Sequence, residues 1–241
     1  ECLHMGALAV TDANGKLMAS AGNPHWLCFT RSTLKALQAL PLMQSGGAQH
    51  FGFTSQELAL MCASHNGEDM HVAQVSSILQ KSGTRYQQLR CGCHVPYRFS
   101  FNDKPLPDGF QYDERHHNCS GKHSGFLAYC VKYGLPTDSY TEVDHPLQQQ
   151  VLKRVGELLG MPAAELLAAR DDCGAPTLQL QLAQMALLFA HLGAGQQPEL
   201  ERLSRAMLAH PDLVAGDGRF DTVVMQSGHG QVLSKGGAEG I

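Results

Sequence analysis

"RSTLK", residues 31–35, sets a serine three positions before a lysine, and an apolar run (Ala36, Leu37, Ala39, Leu40) follows it. Positions i and i+3 share one face of a helix. If the helix starts at or before Ser32, its hydroxyl and the Lys35 amine can meet. A neutral amine accepts a hydroxyl proton, but lysine at its reference pKa of about 10.4 is almost wholly charged. Burial or a neighbouring cation must therefore lower that value before Lys35 serves as a base. Taken alone, the pattern is more often an N-capping serine beside a solvated lysine.

Two further motifs add weight. "SHN" stands at 64–66, just after an apolar helix, and "KGG" at 235–237 near the end of the sequence. Singly, Ser64 reads as the turn after a helix and Lys235 as a charged strand end. In order, S-x-x-K, S-x-N and K-[T/S/G]-G resemble the signature of penicillin-binding proteins and serine β-lactamases. In those enzymes the first serine attacks an amide carbonyl. The S-x-N loop brings a second hydroxyl to one wall of the cleft, and the K-x-G strand lines the other.

Outward from these motifs, the 241 residues are enough for one large domain with a sizeable core. A formal charge of −4 and the lack of a basic stripe argue against a nucleic-acid partner. No apolar run reaches the roughly 18 residues of a membrane helix, and mean hydropathy is −0.19, so no membrane partner is expected. The eight cysteines have no regular framework spacing, which for a chain of this length predicts reduced thiols and a cytoplasmic setting.

"HMGALAVTDANGKLMASAG" (4–22) predicts a β-hairpin turning at Asn14-Gly15. A helix is expected over Thr33 to Leu40, stopped near Pro41. Thr54 with Glu57 forms a capping-box pattern that opens a helix through Met61. Further helices are expected over 68–81, 122–133, 146–159, 176–192 and 198–209, and a strand over 230–235. Residues 84–121, rich in Gly, Pro, Asn, Asp and His, are expected to be irregular and functional. Helices in the middle and strands at the ends predict an α+β domain spanning 1–241, with a helical lobe at about 54–227. Its antiparallel sheet, flanked by helices, would pair the N- and C-terminal parts of the chain.

"HHNCSGKHSG" (116–125) and "RDDCGAPT" (170–177) form a second constellation. A soft metal takes thiolates and imidazoles. Spacing alone points to Cys119 with His123 or His116, set against an ordinary buried thiol beside a glycine turn. Cys91 and Cys93 in "CGCH" stand too close to bind one ion easily and read as core or loop.

The segments "FTRSTLKALQALPL", "ELALMCASHNGE", "HNCSGKHSGFLA", "DHPLQQQV", "DDCGAPT", "AHPDLVAGDGRFDT" and "KGGAEG" resemble, in order, the rhizobial-type L-asparaginases of the asparaginase II family. The resemblance spans nearly the whole chain, and "NCSGKH" and "GRFDT" are its most specific pieces. It implies a fold like that of serine β-lactamases, penicillin-binding proteins and glutaminases, and hydrolysis of L-asparagine to L-aspartate and ammonia. By resemblance the catalytic set is Ser32, Lys35, Ser64 and Lys235, with either serine open as the nucleophile. Arg31, His65, Asn66, Asn118, His123 and Asp171 would contact substrate. Cys119, Lys122 and Cys173 would hold a zinc ion, replacing the histidine ligands that spacing suggests, and the enzyme would be a homodimer. Two departures stand out. Asp172 occupies a position where the family has glycine, and Cys93 stands where it has proline. The resemblance also implies further strands beyond "KGGAEGI". The alternatives are a glutaminase or penicillin-recognising amidase of the same fold, which "NCSGKH" disfavours, and a zinc-binding structural or regulatory protein without hydrolysis, which the intact serine–lysine pairs disfavour.

Overall fold

The computed structural model describes residues 2–101 and 104–241. The chain opens with strands β1 (Leu8–Thr11) and β2 (Leu17–Ala21), which pair antiparallel from Leu8 opposite Ala21. The Asp12 carboxylate accepts the Asn14 and Lys16 amides at 2.9 Å each, and Gly15 takes φ +82°. The hairpin turns at Asn14-Gly15 as expected, with Gly15 alone of the pair in the left-handed region that glycine adopts freely.

Strand β3 (Leu27–Phe29) leads through a 3-10 turn (Arg31–Leu34) into helix α1 (Lys35–Gln44). Every residue from Lys35 to Met43 is buried, so α1 is the central helix of the core. It runs through Pro41 and does not stop there. A mid-helix proline costs roughly 3 kcal/mol, and burial of Leu37, Leu40, Leu42 and Met43 on all sides offsets that cost.

Short α2 (Gly47–His50) precedes α3 (Ser55–Met61). The capping box at α3 is present as read: the Glu57 carboxylate accepts the Thr54 amide at 2.7 Å, and Thr54 Oγ1 accepts the Glu57 amide at 3.3 Å. Then come α4 (Asp69–Ser82), the single turn α5 (Tyr97–Ser100) inside the irregular stretch, α6 (Ser120–Tyr133) and α7 (Pro146–Leu159). Helix α6 packs so tightly on α3 that a Cβ at Gly121 would lie 2.2 Å from the Leu60 carbonyl oxygen.

The expected helix over 176–192 divides in two. Its first part is strand β5 (Pro176–Gln181), flanked by β4 (Leu167–Arg170) and β3 in a three-stranded antiparallel sheet. Only Leu182–Gly193 is helical (α8). In "PTLQLQ" Leu178 and Leu180 alternate with glutamines, a period-2 pattern obscured by the strong helical signal after it.

Helices α9 (Pro198–Ala209), α10 (Pro211–Val214) and α11 (Phe220–Ser227) complete the regular structure. Residues 230–235 form no strand. Gly230 turns at φ +79°, and the chain then runs irregularly to Lys235. The sheet therefore joins residues 27–29 to 167–181, not the two ends of the chain, and β4 and β5 interrupt the region expected to be wholly helical. Mixed α and β structure with small antiparallel sheets agrees with the α+β expectation in its coarse form.

Candidate active site

The β3–β5 pairing sets the entrance to α1. Thr30 donates its amide to Leu178 O at 2.8 Å, and Arg31 donates its amide to Thr177 Oγ1 at 2.9 Å. Arg31 sits at φ +46°, a strained conformation for a non-glycine residue. Its guanidinium is held by Asp171 at 2.8 Å, Asp172 at 2.7 Å and Glu239 at 2.9 Å. This bend puts Ser32 on the wall of a cleft of about 510 Å³, which Ser64, Asn118 and Lys235 also line.

Lys35 does not reach Ser32 by a hydrogen bond. Its amine is 1% exposed and donates to Ala63 O at 2.5 Å, Ser64 Oγ at 2.9 Å and Asn118 O at 3.4 Å. Burial lowers its pKa, with the Cys119 thiol opposing and the Lys122 cation assisting. Ser64 is placed by the segment after α3: its amide donates to Val214 O at 2.9 Å, and the Asn66 amide to Ala215 O at 2.8 Å.

Lys235 lines the same cleft. Burial, and then the nearby Lys35 charge, bring its pKa down to about 7. Asp221 fixes its turn by accepting the Gly236 amide at 2.9 Å and the Ser234 hydroxyl at 2.7 Å, and it lies 3.8 Å from the Lys235 amine. A Cβ at Gly237 would meet Thr33 Cγ2 at 3.2 Å and Ser32 N at 3.5 Å. Glycine therefore lets this turn close over the start of α1.

Five residues expected to touch substrate do not line this cleft: Arg31, His65, Asn66, His123 and Asp171. Arg31 and Asp171 are spent on each other. His65 is wholly buried. Its Nδ1 accepts the Gly67 amide at 3.1 Å, so Nε2–H donates to Ser120 Oγ at 2.9 Å. Asn66 faces Arg219, Glu68 and Asp217. In exchange, the cleft takes in Tyr97, Phe101, Arg219 and Asp221, to which no role had been assigned. "GRFDT" marked the last two by resemblance, but nothing local in the sequence pointed to the two aromatic rings.

Beside the cleft, Cys119, Lys122 and Cys173 converge. All three are buried, and the Lys122 amine donates to Cys173 Sγ at 3.2 Å. The Cys119 thiol donates a hydrogen bond to the Cys173 sulfur, which pulls the Cys173 pKa well down and drives that of Cys119 up. Both cysteines are free. The Tyr140 hydroxyl accepts the Arg90 amide at 2.7 Å and shares a hydrogen bond with His123 Nδ1 at 2.8 Å. His123 Nε2 is left with no conventional partner and faces the Cys173 sulfur. Among the described residues no group of three or more His, Cys, Asp or Glu side chains is placed to hold a metal ion. Two thiolates and an amine at one point are a donor set that suits a soft divalent ion.

Two serines and two buried lysines around one cleft are equipment suited to hydrolysing an amide. The whole chain, residues 1–241, matches the family model described as L-asparaginase II. The chain belongs to the L-asparaginase II family, and so is an amidohydrolase acting on asparagine, a small-molecule substrate. A search of curated protein sequences returns no match. No helix of the described residues is long and apolar enough to cross a membrane.

Proposed function

We propose that the chain hydrolyses L-asparagine through an aspartyl ester on Ser32, within a fold of the serine β-lactamase and glutaminase type. The observation that carries this reading is the buried Lys35 amine 2.9 Å from Ser64 Oγ, behind a cleft that Ser64 and Ser32 both line. Ser32 Oγ attacks the side-chain amide carbon. Its proton passes to the Ser64 hydroxyl as the Ser64 proton passes to neutral Lys35. The Ser32 amide lies in the first turn of its helix, where N–H groups lack intrahelical acceptors, and so is free to stabilise the developing oxyanion. The tetrahedral adduct collapses. Its C–N bond breaks, and the leaving nitrogen takes a proton from the lysine–serine relay and departs as ammonia. Water then attacks the ester, and Ser32 leaves with a proton as aspartate is released. Lys235 faces this relay and, with a pKa of about 7, exchanges protons near neutrality.

Zinc would be held by Cys119, Lys122 and Cys173, and when bound would supply a Lewis acid and a fixed positive charge beside the cleft. Lys122 would then bind as a neutral amine, and His123 would donate its Nε2–H to the Cys173 thiolate and orient it. A cytoplasmic homodimer is part of the same reading. The free cysteines support the compartment, and exposed apolar residues on β1 and β2 such as Leu8, Val10 and Met18 support self-association.

A second reading has Ser64 as the nucleophile, since Ser64, not Ser32, receives the Lys35 hydrogen bond. Ammonia release on L-asparagine and L-glutamine, and ring opening of a β-lactam followed by its ultraviolet absorbance, test the substrate class. Rapid acid quenching and peptide mass spectrometry test the nucleophile. An aspartyl adduct on the Ser32 peptide is expected; an adduct on the Ser64 peptide reverses the roles, and ammonia from glutamine alone makes the enzyme a glutaminase.

A further inference from the structure

Arg219 reaches the same cleft as Ser32, Ser64 and Lys235. Its Nη1 donates to Asn66 Oδ1 at 2.8 Å. The guanidinium carbon lies 4.7 Å from the Phe101 ring centroid and 5.8 Å from that of Tyr97. Among the described residues no carboxylate lies within ion-pair distance of it. Asp221, two residues on, directs its oxygens to Gly236 and Ser234. A half-buried guanidinium bonded to one neutral amide still has donors to offer.

The support behind it is rigid. Asn66 Nδ2 donates to Glu68 Oε1 at 2.9 Å, which turns Asn66 Oδ1 toward Arg219. The same Glu68 oxygen accepts the Asp217 amide at 3.0 Å. Gly216 stands at φ +124°, and a Cβ there would lie 2.5 Å from Asn66 Nδ2, so the 216–219 loop is folded directly over the amide. The asparagine of S-x-N thus holds the arginine of "GRFDT" and does not face the cleft itself.

Asparagine carries an α-carboxylate at the end remote from the scissile amide, and that charge needs a counter-charge when it leaves water. Arg31 is already covered by three carboxylates and lies off the cleft. Lys235 is only partly charged near neutrality. A guanidinium is always charged, and its planar fork matches a carboxylate in two parallel bonds. We infer that Arg219, held by Asn66 and packed on Phe101, receives the α-carboxylate of the substrate and sets the preference for the free amino acid over amides lacking that group. This rests on the asparaginase reading of the cleft.

The test compares L-asparagine with 3-aminopropanamide, the same molecule without its α-carboxylate. In Arg219→Met, kcat/KM on asparagine should fall roughly 10- to 100-fold, mostly through KM, as loss of a charged bidentate contact entails. The rate on 3-aminopropanamide should change by less than about twofold. Arg219→Lys, which keeps charge and most of the packing, should retain part of the preference. Equal losses on both substrates in both variants would make Arg219 merely structural. An unchanged preference would assign the carboxylate to another cation, Lys235 first. If wild type released no ammonia from asparagine, the proposed function would fall on its own account. Titration calorimetry with L-aspartate would then decide the inference: weaker binding in Arg219→Lys supports it, and equal binding overturns it.

Discussion

The Lys35 amine lies 2.9 Å from the hydroxyl of Ser64, which is 29 positions along the chain, and makes no hydrogen bond to Ser32, three positions away. Helical spacing alone would have paired Lys35 with Ser32. The segment after α3 instead brings Ser64 to the amine, with Ala63 O and Asn118 O as its other acceptors. Both serines line the cleft, and the lysine is bonded to the more distant one.

Lys35→Arg keeps the charge but cannot deprotonate in the accessible range. Turnover is expected to fall by roughly three orders of magnitude or more, about 4 kcal/mol in the barrier. Steady-state ammonia release measures it. A variant retaining a tenth of the wild-type rate would remove Lys35 from the base role.

Lys235 supplies a pH signature. As a proton carrier it is competent when neutral, so kcat should rise with pH through a limb near its pKa of about 7. Lys235→Arg should abolish that limb. Stability carries the same sign. The folded pKa lies below the ordinary lysine value of 10.5, so between about 7 and 10.5 the unfolded chain binds more protons and stability rises with pH. Lys235→Met should flatten the Tm–pH curve over that interval. An unchanged curve would mean that the amine is hydrated and not buried.

Elemental analysis should find one zinc equivalent in wild type and far less in Cys173→Ala and Lys122→Ala. Affinity should fall as pH drops and the ligands take up protons. Full retention in Lys122→Ala would make a histidine the third ligand, with His123, facing Cys173, the nearest choice.

Gly121→Ala tests the α3–α6 contact. The new methyl would press on the Leu60 carbonyl, a backbone atom that cannot swing aside. A loss of about 1–3 kcal/mol is expected from overpacking, despite alanine's better helix propensity. Denaturant unfolding measures it. A neutral result would show that α6 can slide relative to α3.

Glu57→Ala removes the capping box. The carboxylate is fully buried, and bonds from Lys81, Ser77 and Thr54 outweigh burial to hold its pKa below 4.5. Its stabilisation is present above that ordinary value and is lost as pH falls through the lowered one. The variant should lose roughly 2 kcal/mol at neutral pH, and less in acid. Equal destabilisation at both pH values would point to packing and not to charge.

The hairpin turn at Asn14-Gly15, the capping box at Thr54 and the spans of α7 and α9 could be read from residues alone. Each is decided by groups within a few positions of one another: a glycine at positive φ, a carboxylate over its own first turn, a proline at a helix start. Ser32, Lys35, Ser64 and Lys235 were singled out by the order of three short motifs, although that order carries no distance. Strand β5 escaped because its identity depends on pairing with Leu27–Phe29, about 150 residues earlier in the chain. The direction of Asn66 away from the cleft, the arrival of Arg219 over Phe101 and the convergence of Cys119 with Cys173 were likewise set by packing between distant segments. The same holds for the lowered pKa of the two lysines. Burial drives it, and burial belongs to no residue until the core has closed around it.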